Sequence, residues 1–320
     1  MAKENSKPIK RYTRKNTCYY LEKKDSKHRN RIFDKLKKAD KMQNTPLIKK
    51  ASGETEPFSQ EKLEISLRRA GAGKETITQV VNEIKQWIQD GVSTHKIYTK
   101  AFDLLQKKKG GMAARYKLKK AIMELGPTGF PFEHFIGQIM KHQGFEVKTG
   151  QVIQGHCVQH EVDVIATNHE IQYLMECKFH NSQEKISNVQ VPLYIRSRMD
   201  DIIQKRKNEP EFNGLKFQGW VVTNTRFSAD AMQYGKCSGL KLLSWDYPEN
   251  NSLKDLIEEY RIFPITTLAH ITQKQKIMLT EKGIVLCQQL LEEKHEIDAL
   301  GLAKPKKQKL LEEIEALCKT

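Results

Sequence analysis

The chain has 320 residues, 38% hydrophobic and 29% charged, a globular composition long enough for two or three domains that each bury a core. Lysine and arginine number 55 against 39 aspartate and glutamate, a formal charge of +16 that favours a polyanionic partner, nucleic acid first and an anionic membrane surface second. Six widely spaced cysteines without a CxxC pair argue against a zinc ribbon, a redox dithiol or a disulfide framework and fit a reducing cytoplasm. The basic start MAKENSKPIKRYTRKN has no apolar segment behind it, and no apolar run approaches the roughly 20 residues that span a bilayer, so secretion and membrane insertion are not expected.

Residues 1–45 hold 15 Lys and Arg against 5 Asp and Glu. Such a basic arm serves either as a solvated tail or as an element that tracks nucleic acid. Beyond it, PLIKK predicts a short strand, Ser52-Gly53 a turn, and the stretch from Ser59 a helix with Leu63 and Leu67 inward. Ile77, Val80, Val81, Ile84, Trp87 and Ile88 recur at helical spacing, so one face of a second helix must be buried. Gly91 stops it, and Ser93 caps a third helix with Ile97, Ala101, Leu104 and Leu105 inward. KKKGG reads as a hinge, MAARYKLKKAIMELG as one more helix, and GPTGFP as a turn.

A second unit follows. A helix carries Phe132, Phe135, Ile136, Ile139 and Met140; a strand starts at GFEV; two more strands are HEVDVIAT and EIQYLMECKF. Then come a helix with Val191, Ile195, Met199 and Ile202, the strand LKFQGWVVTN, the helix SADAMQYGKCS and the strand LKLLSW. This order indicates a mixed sheet flanked by helices. From about Ile265 the tail is helical, with a turn at LGLAKP and no internal repeat.

Strict alternation places Val162, Val164 and Ala166 on one face of their strand and Glu161, Asp163 and Ile165 on the other. On the next strand Tyr173, Met175 and Cys177 share one face, and Gln172, Leu174, Glu176 and Lys178 the opposite one. Two carboxylates on adjacent strands, Asp163 and Glu176, can hold Mg²⁺, a hard cation that takes oxygen ligands. Lys178 on the same face can orient the attacking water or offset charge on phosphorus. The plainer alternative is an ion pair between Glu176 and Lys178. GAGKET at 71–76 lacks the first glycine and the Ser/Thr of a phosphate-binding loop and reads as a helix end. His156, Cys157 and His160 are ligand types that alternation scatters over two faces, so zinc is not expected there. LTEKGIVLCQQLLE with IDALGLAKPKKQKLLEEIEAL reads equally as a helix-hairpin-helix or as a dimerising hairpin.

Two resemblances accompany these residues. Asp163 followed by Glu176-x-Lys178, with FEHFIGQIMKHQGFEV before and NVQVPLY after, resembles the PD-(D/E)xK nucleases in their Mrr-like restriction endonuclease branch. The resemblance implies an endodeoxyribonuclease acting on DNA, with Asp163 and Glu176 as Mg²⁺ ligands, Lys178 as the activating cation, Glu133 as an accessory acid, and Gln190 in a Q-x-x-x-Y arrangement with Tyr194. LIKKASGE, EPFSQEKLEISLRRAGA, DGVSTHKIYTKAFDLL and AARYKLKKAIMELGPTGFPFE resemble the ATP-cone, a nucleotide-binding regulatory module. That resemblance implies that ATP or dATP binds at Lys49, Lys50, Lys62 and Thr94.

The expected organisation is an α/β multidomain protein: a basic arm at 1–45, a helical ATP-cone at 46–131, a mixed-sheet α/β restriction-endonuclease-like core at 132–262, and a helical, helix-hairpin-helix-like region at 263–320. The expected activity is Mg²⁺-dependent DNA cleavage regulated by nucleotide. The competing expectation is a nucleotide-responsive DNA-binding regulator that does not cleave. A homo-oligomer is compatible with either.

Overall fold

The computed structural model describes residues 45–50, 53–108 and 112–318. The basic arm therefore lies outside the described residues except for Thr45, as do Ser52 of the first turn and residues 109–111 of the KKKGG break. Among the described residues no helix is long and apolar enough to cross a membrane. The described residues divide into two compact units, one made of those within 45–63 and 81–101, the other of those within 64–80 and 102–318.

In the first unit, β1 (Leu47–Lys49) pairs antiparallel with β2 (Thr55–Pro57). The sequence predicts only the first of these strands, because Thr-Glu-Pro shows no alternation and proline is tolerated only at a strand edge or end. Pro57 stands opposite Leu47 at the end of the ladder. Asp90 Oδ1 accepts from the Leu47 amide at 2.7 Å, and the Lys49 amide donates to Val92 O at 3.0 Å. Lys49 thus forms an isolated parallel bridge with Ser93. Three helices follow the hairpin in sequence: α1 (Gln60–Arg69), α2 (Lys74–Trp87) and α3 (Thr94–Gln106). Ser59 Oγ and Ser93 Oγ accept from the amides of Lys62 and Lys96, as capping requires. Ile77, Val80, Val81 and Ile84 of α2 and Ile97, Ala101, Leu104 and Leu105 of α3 are buried, while Trp87, the last residue of α2, is exposed.

The second unit is built on a five-stranded sheet of order β3-β4-β5-β7-β9. Its strands are β3 (Glu146–Gln154), β4 (Gln159–Thr167), β5 (Ile171–Lys178), β7 (Lys216–Thr223) and β9 (Lys241–Leu243). The first three are antiparallel neighbours, while β5-β7 and β7-β9 are parallel, the mixed sheet that the element order predicts. Two two-residue strands, β6 (Ile186–Ser187) and β8 (Arg226–Phe227), pair separately.

One face of the sheet, with Val164, Ala166, Met175, Cys177 and Val222, packs on α5 (Phe130–His142) through Phe132, Phe135 and Ile136. The same core takes in Leu118 and Ile122 of α4 (Met112–Met123) and Leu256 and Ile257 of α8 (Leu253–Tyr260). It continues into the helical tail, α9 (Gln273–Glu281), α10 (Cys287–Glu292), α11 (Lys294–Ala299) and α12 (Lys304–Cys318). The other face, with Val162, Ile165, Leu174 and Val221, packs on α6 (Gln190–Arg206) through Ile195, Met199 and Ile202, and on Ala231 of α7 (Ala229–Ser238).

Strict alternation fails at one point. Val162 does not share a face with Val164: it packs with Ile165 on the α6 side, while Val164 packs on the α5 side. The break sits between the registered pairs Thr149↔Val164 and Gln151↔Val162, where Gly150 adopts φ +59° on β3 and Asp163 occupies β4. A left-handed residue re-aims the strand on either side of it, and glycine takes that conformation without steric cost.

Candidate active site

Beyond Val164↔Met175 the ladder between β4 and β5 is no longer registered. At this parting the Asp163 side chain takes over as acceptor, with Oδ2 receiving the Cys177 amide at 2.6 Å. The backbone distortion at Asp163 therefore fixes its carboxylate against β5. On the far side β5 runs parallel to β7 as far as Lys178↔Thr223, and Thr223 Oγ1 donates to Lys178 O at 2.8 Å. Asn224 clamps the next turn, accepting from the His180 amide and donating to its carbonyl, both at 2.8 Å.

Glu176 is the buried centre of the group at 4% exposure. Lys178 Nζ lies 2.5 Å from its Oε1, and Arg198 Nη1 of α6 lies 2.9 Å from its Oε2. Arg198 also donates to Glu161 O, and its guanidinium carbon sits 5.4 Å from the centre of the Tyr194 ring. Both oxygens of a carboxylate that is out of water are thus held by cations, as a buried charge demands.

Two neighbouring carboxylates, Asp163 and Glu133, are harder to ionise than usual. Burial, and after it the charge of Glu176, raises the Asp163 carboxyl to about 6. Burial again, then Asp163, Glu161 and Glu176 in that order, raises Glu133 on α5 to about 7. Burial is the larger cause and the like charge of neighbouring acids the smaller, so the site is short of compensating positive charge. Asp163 and Glu176 fit a divalent cation by donor type and by this electrostatic deficit. Among the described residues only Glu293, His295 and Glu296 bring three ligand atoms within 4.8 Å of one another, so Asp163, Glu176 and Glu133 do not converge on one point in this arrangement. Gly129 lies against Glu133: a β-carbon there would meet Oε1 at 2.8 Å.

Gln190, the first residue of α6, is exposed and its hydrogen bonds go to Asn188, not to the carboxylates. The cation that α6 does deliver, Arg198, is not among the residues that the sequence motifs single out. It was available in principle, because Gln190, Tyr194 and Arg198 fall at i, i+4 and i+8 on one helical face. His156, Cys157 and His160 form no ligand set. Asp201 of α6 accepts from His160 Nε2 at 2.7 Å and from the Cys157 amide at 2.8 Å, which ties the β3–β4 turn to the helix.

In the first unit Glu56 gathers two of the lysines proposed for nucleotide: Lys50 Nζ is 3.1 Å and Lys62 Nζ 3.2 Å from its carboxylate. These pairs pull the Glu56 carboxyl below its ordinary range and raise Lys50. Lys49 is exposed beside Ser93, and Thr94 opens α3 next to it.

Residues 127–247 match the family model Mrr_cat, described as restriction endonuclease, and residues 263–318 match AF1548-like, C-terminal. An uncharacterized protein of Archaeoglobus fulgidus is 32% identical over 179 residues, which are 56% of this chain and 97% of that protein. Among solved structures, the protein of unknown function AF1548 is 29% identical, with 60% of this chain and 100% of that one covered and a TM-score of 0.49. The MspJI restriction endonuclease in complex with a 27-mer oligonucleotide is 14% identical over 53% of this chain and 37% of that one, with a TM-score of 0.26, a level that transfers no function. The chain belongs to the family of the Archaeoglobus protein, carrying a restriction endonuclease domain at 127–247 and an AF1548-like C-terminal domain at 263–318.

Proposed function

We propose that the protein is a Mg²⁺-dependent endodeoxyribonuclease whose site is Asp163, Glu176 and Lys178, supported by Glu133 and Arg198. The observation that carries this reading is the buried Glu176 carboxylate, held between two cations beside Asp163 where β4 and β5 part, inside the restriction endonuclease domain. Asp163 and Glu176 would hold Mg²⁺, which when bound supplies Lewis-acid polarisation of a phosphodiester oxygen and of a water. Lys178, kept at the strand end by Thr223, places a positive charge where the pentavalent phosphorus gathers negative charge. Arg198 holds Glu176 from the helix side, so the carboxylate keeps its position when Lys178 turns toward phosphate. Glu133, with its carboxyl near 7, exists in both protonation states at neutral pH and can exchange protons with the water that surrounds the leaving group. Gln190, exposed at the start of α6, would meet substrate rather than the carboxylates.

The finer part of the proposal is regulation by ATP or dATP in the first unit. It rests on the ATP-cone resemblance and on Lys50 and Lys62, which meet at Glu56, an internal anion that a triphosphate would displace, with Lys49 bridged to Ser93 just before Thr94. The test is cleavage of supercoiled plasmid in Mg²⁺ and in EDTA, with and without ATP or dATP. Wild type should cut only with Mg²⁺, Asp163→Ala and Glu176→Ala should not cut, and Lys49→Ala with Lys50→Ala should remove any nucleotide effect. Equal cleavage by wild type and both carboxylate variants sinks the nuclease. DNA binding without cleavage under all these conditions leaves the regulator reading in its place.

A further inference from the structure

Among the described residues the exposed Phe, Tyr and Trp side chains are Trp87 in the first unit and Phe130 and Tyr194 in the second. Isolated apolar side chains on a surface need no explanation. Phe130 and Tyr194 do, because each belongs to a helix turn that carries part of the candidate site. Phe130 opens α5 at 50% exposure, one turn before Glu133, whose Oε1 lies against Gly129. The same stretch is tied to the segment that follows β5, where Asn181 Nδ2 donates to Pro127 O at 3.3 Å. Tyr194 of α6 is 62% exposed, one turn before Arg198, which holds Glu176. Each ring is backed by its own helix. The His134 and Phe130 ring centres are 4.2 Å apart, and the Arg198 guanidinium carbon is 5.4 Å from the centre of the Tyr194 ring. Both rings are thus supported on one side while half or more of each side chain remains in solvent.

A duplex turns its phosphates and groove edges outward and keeps its base faces stacked inside, so an aromatic rim gains little from it. An unpaired strand presents those faces, and every base can stack on an aromatic ring whatever its identity. The backbone of such a strand also needs cations. Burial lowers the His180 imidazole, and after it the charges of Lys185 and Lys178 do the same, which places both ammonium groups near that ring just past β5. We propose that the site takes single-stranded DNA, with bases stacked on Phe130 and Tyr194, which reach it from the helices on the two faces of the sheet. The proposal rests on the nuclease reading of Asp163, Glu176 and Lys178 and names its substrate class.

The test measures fluorescence anisotropy of labelled DNA with the full chain in EDTA, so that binding is read apart from cleavage. The probes are oligothymidylate, an abasic strand of equal length, and the blunt duplex of oligothymidylate with oligodeoxyadenylate. Wild type should bind oligothymidylate about tenfold more tightly than either of the others, the scale of one stacked base. Phe130→Ala and Tyr194→Leu should each lose about tenfold on oligothymidylate and little on the abasic strand. Phe130→Tyr and Tyr194→Phe, which keep the ring, should recover most of the affinity. Equal wild-type affinity for oligothymidylate and the abasic strand overturns the proposal, as does tighter binding of the duplex than of the single strand. Variants that lose the same factor on all three probes overturn it too, because the rings would then be structural. Plasmid cleavage in Mg²⁺ separates this from the nuclease reading: a wild type that cuts yet shows no preference for unpaired bases loses the stacking site alone, and one that binds as expected yet never cuts loses the nuclease.

Discussion

Asp163→Asn should stabilise the metal-free protein at alkaline pH while removing its capacity to hold a divalent cation. Asparagine keeps an oxygen for the Cys177 amide, but it does not ionise. In the native fold, burial and the charge of Glu176 raise the aspartate from 3.8 to about 6. An acid whose folded value lies above its unfolded one loses stability as it ionises: the penalty is absent below 3.8, grows up to about 6 and is complete above it. At about 1.4 kcal/mol per tenfold change in proton affinity the full penalty is roughly 3 kcal/mol, and solvent screening at a partly open site reduces it to about 2 kcal/mol. For a domain of this size that is a rise in Tm of roughly 4–8 °C. Thermal melts in EDTA at pH 8 and pH 4.5 measure it: the variant should exceed wild type at pH 8, with a smaller margin at pH 4.5. Excess Mg²⁺ at pH 8 should narrow the gap, because it binds only the folded wild type. A wild type that melts as high as the variant in EDTA at pH 8 refutes the account of the site as a cluster of carboxylates in need of a cation.

Arg198→Met leaves one oxygen of buried Glu176 without its partner and should lower stability by about 2–3 kcal/mol in urea unfolding, with Arg198→Lys recovering part of the loss; a change below about 0.5 kcal/mol would make the pair incidental. Gly129→Ala, at an ordinary φ of −71°, should displace Glu133 without disturbing the fold, cutting Mg²⁺-dependent cleavage about tenfold while Tm stays within about 2 °C. Unaltered cleavage there would take Glu133 out of the mechanism. Deletion of residues 1–44 should flatten the salt dependence of DNA binding by about 0.9 in the log–log slope for each phosphate that the arm neutralises, and an unchanged slope would assign the arm to solubility.

The helices and sheet of both units were legible because their signal is local: Ile77 to Ile88 repeat at helical spacing, and Tyr173, Met175 and Cys177 alternate with Leu174 and Glu176 as the sheet faces require. Asp163, Glu176 and Lys178 were legible for the same reason, since charges on strands that are otherwise apolar stand out against a period of two. β2 was not, because three residues ending in proline carry no period and become a strand only by pairing with β1. Nor was the switch of faces at Asp163, which depends on Gly150 of a different strand arriving beside it in a left-handed conformation. Arg198 and Asp201, from α6, reach Glu176 and the His160 turn only because Ile195, Met199 and Ile202 seat that helix on the sheet. Sequence thus determined which residues face a core and which charges sit among them. Which cation meets which carboxylate was decided by strand register and helix packing, because Coulomb interaction and desolvation depend on distances through space that periodicity along the chain does not encode.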